Sequence, residues 1–358
     1  MNRTINMLSS ADSVKGQGVG SAYQEQVNLV KKNLNNEYKV SINQIKFCDI
    51  MHYHTINLEY FLTLPFTKIK SCTVGYVHFL PETLESSIKL PKFAKAVFYK
   101  YVIDFYKSMD YLVTVNPYFI EKLAEYGIPK DKITYIPNYV SKNNFYKLDK
   151  SKKHAIRKKY NIPNNKFVVL CVGQLQLRKG IFDFIKVAQA LPEYEFVWAG
   201  GFSFKKISDG YEEIKKIVEN PPSNVRFLGI VPREEMNQIY NMADVMFLPS
   251  YEELFPMTVL ESANCHLPIL LRDIELYKGI LNGYYISGKS VDDFVNILKC
   301  LQSDPQMYNM QVKKSIECSK YYCEENVAKM WRRYYNKIYR KNHNNRKESL
   351  IKGWLESL

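Results

Sequence analysis

Short apolar runs alternate along most of the chain with longer stretches in which apolar residues recur every third or fourth position. Runs of about four to eight apolar residues read as buried strands, and the 3.6-residue recurrence reads as helices lying over them. In the first half the strand signal falls at residues 4–8, 46–53, 72–79, 111–115 and 132–136. The second half starts afresh at 167–172, an almost wholly apolar run followed by Gly173 and a helix expected over 180–190. Further strands are expected at 195–199, 225–228, 245–248 and 269–271, with helical periodicity between them. Alternation of this kind builds parallel sheets covered by helices. Residues 141–165 are rich in Lys, Asn and Ser and poor in apolar side chains, the composition of an interdomain linker. The expected fold class is α/β, with Rossmann-like domains over 1–145 and 146–325 and a helical, basic segment over 326–358.

Two amphipathic stretches allow more than one role. At about 100° per residue, Leu90, Phe93, Ala94, Val97, Phe98, Tyr101 and Phe105 share a helical face, while Lys92, Lys95, Lys100 and Lys107 lie off it. Such a helix either buries that face in its own domain or lies in the interface of an anionic bilayer. In the second case Lys92, Lys95, Phe98 and Lys100 make the membrane contact. Near the C-terminus, Leu350, Ile351, Trp354, Leu355 and Leu358 also share a side, which fits either a last helix docked on the body or a weak membrane contact.

Charge narrows the choice of partner. With 358 residues, 46% hydrophobic and 24% charged, the chain is globular and long enough for two cores. The formal net charge of +14 calls for an anionic partner, which means nucleic acid, a phosphate-bearing substrate or an anionic membrane face. Zinc-finger spacing, an RNP-type strand and a basic recognition segment are all missing from the sequence, so nucleic acid fits least. The seven cysteines are scattered without metal or redox spacing and read as reduced structural thiols. The N-terminus is polar within a few residues, and no run approaches the roughly 20 apolar residues of a membrane span, so a cytoplasmic protein is expected.

Candidate chemistry is densest in ADVMFLPSYEELFPMTVLESANCHLPI, residues 243–269. A strand runs into a turn at Pro249 and Ser250, then to Glu253, and then to a helix that carries Glu261. Ligands of open parallel sheets bind beyond the carboxyl ends of the strands, where helix-start amides, here Met257, Thr258 and Val259, can face an anion. A carboxylate within the first turns of that helix can accept from vicinal hydroxyls, although acids near helix starts also serve simply as dipole partners. Upstream, GQLQLRKG at 173–180 follows a strand and opens a helix, with Arg178 and Lys179 placed to neutralise a leaving diphosphate. His78 ends a strand where ligands bind, whereas His52 and His54 read as structural or peripheral.

Glu253 and Glu261 fit the E-x7-E pattern and, with Ala243–Asp244 and Pro249–Ser250, resemble the retaining GT-B glycosyltransferases that use UDP- or GDP-sugars. The resemblance implies two Rossmann-like domains facing across a cleft, acceptor domain first and donor domain second. It implies that Glu253 contacts the donor sugar, Glu261 binds the ribose hydroxyls, Gly173, Arg178 and Lys179 serve the diphosphate, and His78 lies beside the transferred sugar. Two departures matter: Pro256 stands where many members have Gly, and Gln174 stands where many have a phosphate-binding Arg. KGQGVGSAYQEQV, residues 15–27, looks like the family's glycine-rich first loop, with Gly16, Gly18 and Gly20 on the acceptor side. IPNYV at 136–140 resembles a hinge-proximal element in which Asn138 is structural. GYVHFLPETLE, ENPPSN and PSYEELFPMTVLE together look like Gram-positive diacylglycerol glycolipid synthases, which add a second hexose to a monohexosyl-diacylglycerol in making the lipoteichoic acid anchor. That resemblance runs from about residue 5 to residue 339. It implies a UDP-hexose co-substrate, a glycolipid acceptor, an anionic membrane surface on the inner face of the cell membrane, and neither cofactor nor metal. Rival readings are a soluble or polyprenyl-linked saccharide acceptor, a UDP-sugar epimerase on the same fold, and a non-catalytic basic scaffold.

Overall fold

The computed structural model describes residues 3–10, 18–44, 46–81, 91–202 and 210–356, without the side chains of Gly18, Val19, Lys92 and residues 345–356. Six strands form a first, wholly parallel sheet: β1 Arg3–Leu8, β2 Tyr38–Ile42, β3 Ile50–Tyr53, β4 Cys72–Val77, β5 Tyr111–Thr114 and β6 Ile133–Tyr135, in the order β2-β1-β3-β4-β5-β6. The second sheet joins β7 Val168–Val172, β8 Glu195–Ala199, β9 Val225–Gly229, β10 Val245–Leu248, β11 Ile269–Arg272 and β12 Ile286–Gly288 in the order β12-β11-β10-β7-β8-β9. Both orders reverse direction once, between β1 and β3 in the first sheet and between β7 and β10 in the second. Adjacent loops diverge at such reversal points and leave a crevice, the usual ligand site of open α/β sheets.

Helices cover both sheets: α1 Gly18–Asn33, α2 Leu58–Lys70, α3 Lys92–Lys107 and α4 Tyr118–Glu125 with the first, and α5 Lys150–Lys159, α6 Ile181–Ala190, α7 Tyr211–Glu219, α8 Met236–Met242, α9 Met257–Asn264, α10 Glu275–Leu281, α11 Val291–Ser303 and α12 Pro305–Tyr321 with the second. The expected α/β architecture of paired parallel sheets is therefore present. The periodicity passes over β2 and β12, both edge strands, which have one neighbour each and need no continuous apolar run.

The stretch 141–165, expected as a linker, carries helix α5. Asp149 caps it by accepting from the Lys152 amide at 2.9 Å, and Ile156 and Arg157 are buried beneath it. Arg157 donates to the Met242 carbonyl (2.8 Å) and to Asp244 (2.7 Å), which also accepts from the Val168 amide (2.7 Å). The lysines made the segment look unstructured because they lie on the outer side of a helix whose inner side is only one turn wide.

A long last helix, α13 Glu324–Glu356, returns from the second sheet to the first. Val327, Ala328, Trp331, Tyr334, Tyr335 and Ile338 are buried on it, and Arg332 and Lys32 pair with Glu37 (2.7 Å) and Glu324 (2.9 Å) respectively. Its docking face is this aromatic row. The side chains of Leu350, Ile351, Trp354 and Leu355 lie outside the described residues, as does Leu358.

Helix α3 matches the amphipathic pattern, but its face is divided. Phe105 is buried and Tyr101 packs on Phe61 of α2 with ring centroids 5.5 Å apart, while Phe93 (82%) and Val97 (55%) are exposed. Lys100 pairs with Asp104 at 2.5 Å. Leu90 and the Lys92 side chain lie outside the described residues, and Lys95 and Phe98 are half-buried. The neighbouring α2, which the pattern did not single out, exposes Leu58, Leu62, Phe66 and Ile69 along one stripe.

Candidate active site

The reversal point of the second sheet carries the predicted acids and bases. The chain leaves β7 at Gly173 and makes a 3₁₀ turn at Leu177–Lys179; Gly180 then opens α6 with φ of 73°. A Cβ on Gly180 would run into the Pro249 carbonyl, so only glycine lets the two loops lie together. The Tyr251 amide donates to the Arg178 carbonyl at 2.8 Å and locks the loops in register. Lys179 Nζ then reaches Glu253 Oε1, with the Glu253 side chain buried and that of Lys179 nearly so. Burial by itself raises the Glu253 carboxyl, but Lys179 and Arg178 outweigh it and hold the group below the usual carboxylate range. Burial lowers the Lys179 ammonium, against the pull of Glu253. Arg178 points its guanidinium at the Gln176 side chain (2.9 Å) and the Glu252 carbonyl (3.3 Å). The departure at Gln174 is filled locally, since its side chain accepts from Gln176 at 2.9 Å. Trp198 Nε1 donates to the Gly173 carbonyl at 2.9 Å, which fixes the loop's root.

Pro256 sits at the N-cap of α9, and the Val259 amide donates back to its carbonyl at 3.1 Å. Of the three amides expected to face an anion, Val259 is thus engaged within the turn, while Met257 and Thr258 precede any intrahelical acceptor. Glu261 is buried on α9, where Tyr240 donates to Oε2 at 2.5 Å and Arg233 to Oε1 at 2.9 Å. The same guanidinium reaches Glu25 of α1 at 3.0 Å. Arg233 therefore holds one carboxylate from each domain, and those charges offset the lowering effect of its burial, so its pKa rises. Asn116 donates to the carbonyls of Leu254 (2.9 Å) and Leu276 (3.1 Å), and Asn138 to that of Phe255 (3.4 Å), so first-domain amides clamp the Glu253 loop. A cavity of about 820 Å³ beside this bridge is lined by Glu25, Asn28, Asn144 and Arg233, but not by Glu253 or Lys179.

Sequence reasoning missed Arg233, Glu25 and Arg272. Arg272 is buried, pairs with Asp183, donates to the Pro249 carbonyl (2.9 Å) and lies 3.9 Å from the Tyr251 ring centre. It props the Glu253 loop from behind. Glu25 falls inside the 15–27 segment without being singled out, the signal at Arg272 was a charge in an otherwise apolar strand, and nothing marked Arg233, which follows Pro232 four residues after β9.

At the reversal point of the first sheet, Gly18 and Gly20 belong to α1 rather than to a loop, because the amphipathic run from Ala22 to Val30 extends the helix forward. Gly16 lies outside the described residues. His78 stands just beyond β4, buried, with Nε2 unpartnered among the described residues. Burial pulls its imidazole down to about 3. His52 is structural: its Nδ1 lies 2.8 Å from the Tyr335 hydroxyl of α13. His54 has no partner for either ring nitrogen among the described residues.

Residues 152–317 match the family described as glycosyl transferases group 1, and residues 42–143 match glycosyltransferase family 4. A Streptococcus pneumoniae α-galactosylglucosyldiacylglycerol synthase is 44% identical over 333 residues, covering 93% of this chain and 89% of that protein. A processive diacylglycerol α-glucosyltransferase of Acholeplasma laidlawii is 27% identical over 74% of this chain and 76% of its own length. Among solved structures, a sucrose-phosphate synthase from Thermosynechococcus elongatus superposes with a TM-score of 0.76 at 15% identity, covering 95% of this chain and all of that one. An Anabaena protein solved with UDP-glucose gives 0.75 at 14% identity, covering 93% and 99%.

Proposed function

The chain belongs to the group 1 glycosyl transferases, and from that premise we propose that it moves a hexose from a UDP-sugar to the sugar of a monohexosyl-diacylglycerol. It is a hexosyltransferase of the GT-B fold. The observation that carries the proposal is the buried Lys179–Glu253 pair at the reversal point of the second sheet, with Glu261 on the adjoining helix. In the reaction the bond from the anomeric carbon to the β-phosphate oxygen breaks and its electron pair leaves with UDP. An acceptor hydroxyl oxygen forms the new bond, and its proton passes to the departing phosphate. In this reading Arg178, Lys179 and the Met257 and Thr258 amides face the negative charge that grows on the leaving diphosphate, and so stabilise the transition state more than the bound donor. Their cationic character can do the work of a divalent ion, and we propose that none is needed. Attack on the same face that UDP leaves would retain the anomeric configuration.

The relatives' names direct the acceptor side to diacylglycerol glycolipids, with lipoteichoic acid anchor synthesis as the expected setting. The enzyme would then work from the inner membrane face, held by the exposed apolar residues of α2 and α3 and the lysines around them. No helix among the described residues is long and apolar enough to cross a membrane. The test is a donor panel with purified monoglucosyl-diacylglycerol, with EDTA and manganese arms. UDP release that depends on the glycolipid, with one hexose added to the lipid mass, supports the reading. Transfer only to soluble or polyprenyl-linked saccharides overturns the acceptor. Activity abolished by EDTA and restored by manganese overturns metal independence.

A further inference from the structure

The loop from Pro249 to Pro256 is held from two sides, and Glu253 stands where the hold changes over. Its first half is fastened within its own domain. The Pro249 carbonyl accepts from Arg272 at 2.9 Å, the Tyr251 amide donates to the Arg178 carbonyl at 2.8 Å, and the Glu252 carbonyl accepts from Arg178 at 3.3 Å. Its second half is fastened from the opposite domain. The Leu254 carbonyl accepts from Asn116 at 2.9 Å and the Phe255 carbonyl from Asn138 at 3.4 Å. The side chains of Leu254 and of Leu276, on α10, pack against the first domain's apolar cluster, which includes Phe119 and Leu123 of α4. We propose that Asn116 is a positioning residue for the transfer reaction: it sets Glu253 from across the domain boundary, so the donor-sugar site is complete only with the first domain seated on this loop.

The bonding of Asn116 separates this role from one in its own domain. The side chain is fully buried, and it sits in the turn between β5 and α4. Its Oδ1 accepts from the Tyr118 amide at 3.0 Å, which satisfies an otherwise unpaired donor at the start of α4. An aspartate or a serine supplies that acceptor equally well. What an asparagine adds is an amide nitrogen with two hydrogens. Both go to the second domain, one to the Leu254 carbonyl and the other to the Leu276 carbonyl at 3.1 Å. The amide therefore ties the loop after Glu253 to α10 and ties both to the first domain. Lys179 fixes the Glu253 carboxylate, and Asn116 fixes the backbone immediately after it. A misplacement of about 1 Å at a reacting centre can cost roughly 100-fold in rate, so a bond one residue away is enough to govern turnover. Glu261 and Arg178, assigned to the ribose and the diphosphate, are held by other groups, namely Tyr240 and Arg233 for the first and Gln176 for the second. Loss of the Asn116 bonds should therefore spare UDP binding.

This inference rests on the reading of Glu253 as the residue at the donor sugar, and the experiment separates the two. Turnover is read as UDP release from UDP-glucose and UDP-galactose with detergent-dispersed monoglucosyl-diacylglycerol. Asn116→Ser keeps an acceptor for the Tyr118 amide and removes the amide nitrogen. Its kcat should fall at least about tenfold, with an unchanged dissociation constant for UDP and a Tm near that of the wild type. Asn116→Asp places an oxygen against the two carbonyls, and burial raises the pKa of that carboxyl. Once protonated, it can donate to one carbonyl again. Its turnover relative to the wild type at the same pH should therefore rise as pH falls from about 8 to about 6. Leu254→Ala removes the apolar contact with the first domain and should lower kcat in the same way, which keeps the test decisive if neither variant at 116 folds. An unchanged kcat in a folded variant, a UDP affinity lost in parallel with kcat, or a flat pH ratio for Asn116→Asp overturns the positioning role. The Lys179→Met, Glu253→Gln double variant is the reference. If it still turns over, the reading of Glu253 fails; if it is inactive while Asn116→Ser keeps its full kcat, the positioning inference alone fails.

Discussion

Glu253, Glu261 and Lys179 stood out in the sequence because each lies in the loop or the first two helical turns that follow an apolar strand, so that strand spacing brings them toward one edge. Arg233 and Glu25 were not, since 208 residues separate them and only the docking of two domains brings them together. His52 and His54 share a buried stack, and only packing shows that His52 Nδ1 meets the Tyr335 hydroxyl while both nitrogens of His54 have no partner among the described residues. Breaking the buried Lys179–Glu253 pair from one side leaves an uncompensated charge, which costs about 3–5 kcal/mol. Glu253→Gln and Lys179→Met should each lower Tm markedly, while the double variant should recover most of that loss and stay inactive. Thermal denaturation alongside a turnover assay checks this, and additive losses in Tm would contradict it. The histidine stack predicts a pH effect of definite sign. His52 and His78 titrate near 3 in the folded protein and His54 below its ordinary value, against 6.5 for a free histidine. The unfolded chain takes up protons that the folded chain refuses, so stability is full above about 6.5 and falls as pH drops toward 3. Each ring contributes a slope of up to about 1.4 kcal/mol per pH unit in that window. Melting curves from pH 8 down to pH 4.5 should be flat first and then fall, with a shallower fall for His54→Phe.

The strands were read well because a parallel strand buried on both faces is a near-continuous apolar run, whereas the edge strands β2 and β12 need no such run. The helices were read by their faces, and there the sequence left α3 open between two roles: a shared apolar face does not say which part another helix covers. Phe61 of α2 covers the C-terminal part of that face, and the solvent-facing stripe passes to α2. A membrane contact built this way has two separable parts. Leu62→Glu with Phe66→Glu should abolish the salt-resistant binding to vesicles containing anionic lipid. Lys95→Glu with Lys100→Glu should weaken only the salt-sensitive part, by about 1 kcal/mol for each lysine near the surface. Flotation at rising salt measures both, and turnover on detergent-dispersed acceptor should be retained in all variants. If the α2 variant still binds vesicles as the wild type does, the stripe has another purpose.

Across the whole molecule, Arg233 is where the proposed donor site and the arrangement of the two domains meet. It orients Glu261, the carboxylate expected to receive the ribose hydroxyls, and holds Glu25 of the opposite domain with the other arm of its guanidinium. Arg233→Gln should raise the KM for the UDP-sugar tenfold or more, since hydrogen bonds to charged groups are worth about 1.5–3 kcal/mol. Glu25→Gln should raise it less, and the double variant should be no worse than Arg233→Gln alone. Such non-additivity in kcat/KM is the signature of one shared network. Independent, additive effects would show that the bridge does not link the domains. The last helix ties the same two domains by another route: α13 follows the second sheet yet buries Trp331 and Tyr335 against His52 and Tyr76 of the first. During synthesis, the first domain therefore emerges from the ribosome long before its final packing partner. It must wait, with the aromatic bed around His52 uncovered, while the whole second domain is translated. A ribosome stalled before residue 324 would hold a chain whose second half can fold and whose first half remains exposed to chaperones and proteases.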